Sequence, residues 1–421
     1  MKRILITSIV ALLFVGVYAQ EEAKFGIKFS GFIKNDFFFD SRQTVNAREG
    51  HFLLWPSAEN LDDNGLDINA GANFNMLAIQ SRLKGSISGP DAFGAKTSGV
   101  IEVDFFAQAN ANINLMRMRH AFIKLDWTNV ELLAGQYWNP LFVTDCFPGT
   151  VSFNTGTPIQ SFARNPQIRI AYKTGGFKIT AAALSQRDYS SRGPDGITSD
   201  YLRNSGSPDM HLQFQYGSKS ESSGIAFVLG GGMAYKTITP RLESIGVLPT
   251  NGTFKVDEKV GGLTAIAFSK VTTESITVKF ETRYGENIAD VLAPSGFAVT
   301  GMVDLTTGRL DYTPLKSMSY WAEIHTNGKV QVGLFAGYFN SMGTKEELTD
   351  PGNSIYGLGT DISSLIRVSP RIIVNSGKTR VALEVEYSSA EYGNTFNSSH
   401  LALTTTSASN LRALLAMYYF F

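Results

Sequence analysis

Along much of this chain apolar and polar residues alternate one by one. From 277 to 284, Val278, Phe280 and Tyr284 fall on one side, and Lys279, Glu281 and Arg283 on the other. A period of two is that of a β-strand with one apolar and one polar face. The same pattern sets Val381, Leu383, Val385 and Tyr387 against Arg380, Glu384 and Glu386, and Ile168, Ile170 and Tyr172 against Gln167, Arg169 and Lys173. It recurs at 211–216, 329–338 and 366–374. A soluble sandwich alternates too, with its apolar face inward, so the connections between strands carry the decision.

The chain divides into about sixteen strands whose connections alternate between short and long. Short turns fall at 127–129, 175–176, 218–223, 272–275, 327–328 and 376–377. Asn327-Gly328 is the strongest of these, because that pair favours a tight two-residue hairpin. Long polar connections fall at 41–71, 139–165, 188–208, 237–258, 286–316 and 341–364. Short turns on one side and long loops on the other predict an all-β, antiparallel, up-and-down transmembrane β-barrel. The short turns are then periplasmic, the long loops extracellular, and both chain ends lie on the short-turn side.

The two ends add independent signals. Met1-Lys2-Arg3 is basic, 4–17 is apolar, and Val17-Tyr18-Ala19 places small residues where a signal peptidase reads. Residues 1–19 are thus expected to be a secretory signal peptide cleaved between Ala19 and Gln20, leaving 20–421 as one barrel domain. Gln20 is not a cysteine, which argues against a lipid anchor. At the other end Leu411, Ala413, Leu415, Met417, Tyr419 and Phe421 alternate to the last residue. Such a strand is like the terminal strand of outer-membrane barrels, so Tyr419 and Phe421 are expected to be read by the barrel-assembly machinery. The aromatics Phe37, Phe38, Phe39, Phe105, Phe106, Trp127, Tyr137 and Trp138 are expected at the membrane interfaces.

Composition removes several functions. Lys plus Arg and Asp plus Glu number 37 each, a balance that gives nucleic acid no footing. The five histidines, His51, His120, His211, His325 and His400, are scattered without metal-ligand spacing. Gly230-Gly231-Gly232 lacks the Lys-Ser/Thr ending of a phosphate loop and reads as a glycine-rich strand. Cys146 is a lone thiol, so no internal disulfide is expected. No cofactor, metal or catalytic group is expected.

A family resemblance enters between 75 and 175. Ser81-Arg82, the run Gly99-Val100-Ile101-Glu102-Val103-Asp104-Phe105-Phe106, Leu-Met-Arg-Met-Arg-His-Ala-Phe over 115–122, Leu133-Ala134-Gly135-Gln136-Tyr137-Trp138 and Pro140 resemble the DcaP-like outer-membrane porins. The resemblance implies a homotrimeric barrel in the outer membrane of a Gram-negative bacterium, passing small anions such as dicarboxylates. The coiled-coil extension of that family has no counterpart here, where only 20–24 precede the first strand, and no plug domain is expected.

A porin breaks no bonds; it selects by the charges at a constriction. The third extracellular loop by strand count, 139–165, is expected to fold inward, bringing Asp145 and Arg164 into the lumen. Facing charges are expected from Arg82, Glu102, Asp104, Arg117, Arg119, Arg169, Lys279, Arg283, Arg367, Arg371 and Arg380. Basic residues predominate, which leans towards anions. Arg117 and Arg119 share a face with Ile123 and Leu125, a parity conflict that calls for a β-bulge. A non-conducting structural or adhesive barrel, or an outer-membrane hydrolase, are the alternatives; an occluded lumen would mark the first.

Overall fold

The computed structural model describes residues 25–247, 251–350 and 352–421; the expected leader at 1–19 lies outside them. Each strand forms where the alternation places a branched or aromatic side chain on every second position, which suits the pleated surface. In chain order the wall strands are β1 (Gly26–Asp40), β2 (in two pieces, Asn73–Leu77 and Arg82–Ser88), β3 (Lys96–Asp104), β4 (Arg117–Asp126) and β5 (Val130–Trp138). There follow β6 (Arg164–Thr174), β7 (Phe177–Leu184), β8 (Asp209–Lys219), β9 (Ala226–Ile238), β10 (Val260–Thr272) and β11 (Ile276–Glu286). The last are β12 (Arg309–Thr326), β13 (Val330–Thr344), β14 (Ile362–Ser376), β15 (Thr379–Phe396) and β16 (Ala402–Phe420). Ser295–Asp304 and Ile355–Leu358 extend the sheet beyond the wall at the long-loop end.

Every wall strand pairs antiparallel with its sequence neighbours, and β16 returns to β1, closing a sixteen-stranded barrel. The seam runs from Phe32 opposite Phe420 to Asp40 opposite Arg412. Gly31 and Phe421 finish it with a reciprocal pair of backbone hydrogen bonds, both 3.2 Å. Closure matters because an open sheet edge has no partner for its backbone groups in lipid.

The faces are inverted relative to a soluble protein. Val278, Phe280, Val381, Leu383, Val385, Ile366 and Leu411 point outward and are exposed, whereas Glu281, Arg283, Arg367, Glu384, Glu386 and Arg412 point inward and are buried. An apolar exterior around a polar interior is the arrangement that hydrocarbon requires. The β-bulge called for by parity is present. The register between β3 and β4 shifts where Glu102 and Val103 face His120 and Met118, leaving Arg119 as the extra residue. The aromatic expectation is corrected at three positions: Phe38 and Phe106 are buried inside the barrel, and Trp138 stacks on Phe142 within it at 4.1 Å. Phe39 and Phe105 do face outward.

Candidate functional site: the lumen and its inward loops

The loop at 139–163 carries Leu141, Phe142, Val143, Phe153, Ile159 and Phe162, too many apolar side chains to leave in water. Burying each contributes roughly 1.5–3 kcal/mol, and the barrel lumen is where they go. A backbone drawn inside must still satisfy its polar groups, and the wall supplies the partners. Glu323 of β12 accepts from Gly149 N. On β15, Glu384 accepts from Val151 N at 2.7 Å and Ser152 N at 3.0 Å, and Glu386 accepts from Asn154 Nδ2 at 2.8 Å. The loop carbonyls are met by cations. Lys279 donates to Phe147 O at 2.9 Å, Lys34 to Val151 O at 3.0 Å, Arg283 to Pro158 O at 3.2 Å, and Arg367 to Thr157 O. Charge-assisted bonds of this kind are the stronger class.

The predicted site residues separate into three groups. Arg82, Glu102, Asp104, Arg117, Arg119 and Arg164 form one network on β2, β3, β4 and the start of β6. Arg117 grips Asp104 with two bonds of 2.8 and 3.2 Å, and Arg119 reaches Glu102 at 2.8 Å and Asp104 at 2.9 Å. Arg82 stands 3.5 Å from Glu102, and Arg164 2.7 Å from Asp188 of the loop after β7. Lys279, Arg283, Arg367 and Arg371 form the second group, on the opposite wall, where they hold the loop or share Glu323 and Glu386. The third group is more open. Arg169 lies over Tyr137, Arg380 over Tyr418 and Phe420, and Asp145 at the exposed loop tip accepts from Gln215 Nε2 at 3.0 Å.

Two features escaped the sequence reading. Lys84, Lys178 and Lys270 also face inward, half-buried and, among the described residues, without a carboxylate partner, as are Arg169 and Arg380. Lys178 stands directly across from Lys173, and Lys270 across from Lys279. Like charges placed directly opposite destabilise a sheet, so the wall holds a concentrated positive potential. The period-two parity of β7 and β10 contains this signal. Most inward carboxylates are engaged: Asp126 and Glu131 hold Lys124, Glu323 holds Lys279 and Arg371, and Asp36 holds Lys34.

The second feature is a hairpin in the first long loop, Thr44–Ala47 paired with Phe52–Pro56. Phe52, Leu53, Leu54 and Trp55 are all buried, none more than 7 % exposed. Phe52, Leu54 and Trp55 join Phe153, Phe162, Phe106, Trp321, Phe335, Phe339, Leu365 and Tyr392 in one apolar cluster across the lumen. Its sequence signal is an unbroken apolar run, 52–55, inside a polar connection.

No protein-family model and no curated protein matches this sequence. Solved structures do. The outer membrane channel DcaP of Acinetobacter baumannii superposes with a TM-score of 0.66 at 16 % identity, over 96 % of this chain and 100 % of that one. The fold is that of an outer-membrane porin. OmpT, an outer membrane protein of Vibrio cholerae, matches with a TM-score of 0.52 at 11 % identity, covering 96 % of this chain and 99 % of its own. The anion-selective porin from Comamonas acidovorans gives 0.52 at 10 % identity, with 94 % and 100 % covered. The porin fold here thus combines a closed sixteen-strand wall, an inward third loop and an inner surface rich in cations.

Proposed function

We propose that this chain is an outer-membrane channel for passive diffusion of small hydrophilic solutes, with a preference for anions. The observation that carries the preference is the set of inward cations left without carboxylates, Lys84, Arg169, Lys178, Lys270 and Arg380. In a low-dielectric wall such a set raises the local concentration of anions and repels cations. Small dicarboxylates are the solute class most in keeping with it. The third loop, fastened to β11, β12, β14 and β15, narrows the lumen beside these residues, and Asp145 at its tip accepts a hydrogen bond from Gln215. No bond chemistry is assigned to the lumen; its residues bind, orient and sort by charge. The exported chain would be assembled into the outer-membrane lipid by the barrel-assembly machinery as a homotrimer. A trimer form is recorded for the structurally similar OmpT of Vibrio cholerae, at 11 % identity.

One observation favours a second reading. The apolar cluster across the lumen is what a non-conducting structural barrel would show. Planar-bilayer recording of the refolded protein across a salt gradient separates the two. The expected result is stepwise conductance in groups of three, with a reversal potential favouring chloride. Exchange of Lys178 and Lys270 for glutamate should move that potential towards cations. Cation preference in the unaltered protein would sink the anion assignment, and silence from a folded, inserted barrel would leave the structural reading.

A further inference from the structure

The first-loop hairpin is built differently from the third loop. Its two strands, Thr44–Ala47 and Phe52–Pro56, pair only with each other and take no part in the wall ladder. Phe52 packs edge-on to Phe153 at 5.2 Å and against Phe162 at 5.3 Å, both in the third loop, and against Tyr189 of the fourth at 6.3 Å. His51, at the hairpin's turn, stacks on Phe153 at 5.5 Å and bonds Asp36 of β1 at 2.8 Å. Three wall side chains hold the hairpin's carbonyls. Arg367 donates to Leu54 O at 2.6 Å, Tyr392 to Pro56 O at 2.6 Å, and Arg412 to Gly50 O at 2.7 Å. The hairpin therefore fills the room between the third and fourth loops and the inner face of β14–β16.

We infer that the hairpin 44–56 is an internal stopper that narrows the lumen at rest, so that full conduction requires its displacement. This inference rests on the channel reading above. Three physical points carry it. A run of four apolar residues on an otherwise polar connection is costly in water, and burying both faces of the hairpin's second strand, Phe52–Pro56, recovers that cost. The wall needs nothing from it, since β1 and β2 already pair with their neighbours along their lengths. The third loop does not need it for its polar satisfaction either, because Glu323, Glu384, Glu386, Lys34, Lys279 and Arg283 hold it from the wall. Removing the hairpin leaves the barrel closed and the third loop tethered while emptying the space between them.

The test replaces 44–56 with a short Gly-Ser linker and records single-channel currents beside the unaltered protein. A second variant, Trp55→Ala with Tyr392→Phe, loosens the hairpin without deleting it. Heat-modifiable migration on unboiled gels confirms that each barrel is folded. The expected outcome is a several-fold larger or longer-lived conductance in the deletion, with an intermediate effect in the double variant. Equal, substantial conductance in all three would overturn the stopper while leaving the channel intact. Silence in all three, with every barrel folded, would overturn the channel reading and the stopper with it.

Discussion

Arg367 touches two loops at once: one guanidinium donates to Leu54 O of the first loop and to Thr157 O of the third, while Glu386 balances its charge. A lysine there would keep the charge but lose the planar fork that spans both acceptors. The same economy holds for Arg117 and Arg119, which share Asp104. Desolvating such groups is expensive, and removing one partner of a buried set typically costs 3–5 kcal/mol. Cys146 is the contrasting case. Buried in the third loop, it bonds Ser269 O at 3.3 Å. Burial, and next the nearby Glu281 carboxylate, pushes its thiol up to about 12. A raised thiol value means less thiolate at any ordinary pH, on the order of one part in ten thousand at pH 8. The folded protein should therefore resist maleimide for hours at pH 8, with labelling that quickens roughly tenfold per pH unit. The unfolded chain should react within minutes. Prompt labelling of folded barrels in a mass-spectrometric time course would contradict the burial.

At the scale of the element, the third loop depends on a few acceptors. Glu384 takes two of its backbone donors, Val151 N and Ser152 N. Glu384→Ala should cost roughly 1.5–3 kcal/mol for each charge-assisted bond lost and expose the loop to protease. Glu384→Gln, which keeps one acceptor, should lie between. Identical urea midpoints and cleavage rates for all three proteins would show that the loop is held by its apolar residues alone. The strands themselves were legible in the sequence because lipid and lumen impose opposite demands on successive residues, as at Val278, Lys279 and Phe280. The bulge at Arg119 was legible for the same reason, since parity failed there. The hairpin was not, because Phe52-Leu53-Leu54-Trp55 has no period and looks the same in any buried setting. Nor could the sequence tell Arg82, half-open, from Arg119, sealed. That difference is made by Asp104, Glu102 and Trp138, which only the fold brings together.

For the whole molecule, the seam between β1 and β16 brings residues at opposite ends of the sequence into register, with Phe32 opposite Phe420. A circular permutant joining Phe421 to Phe25 through a short linker, with new ends opened in the fourth extracellular loop near 194, should retain the heat-modifiable folded form. Adjacent ends on one side of a domain usually permit this, and failure in detergent refolding would mean that the seam needs free termini. The seam also determines how truncation acts. A chain cut after Leu401 keeps every other wall strand, yet lacks β16 and leaves two unpaired edges, on β1 and β15. Neither edge is tolerable in hydrocarbon. Strand β16 thus acts as a completeness check on the barrel: a chain that lacks it exposes open edges that set it apart from a finished wall.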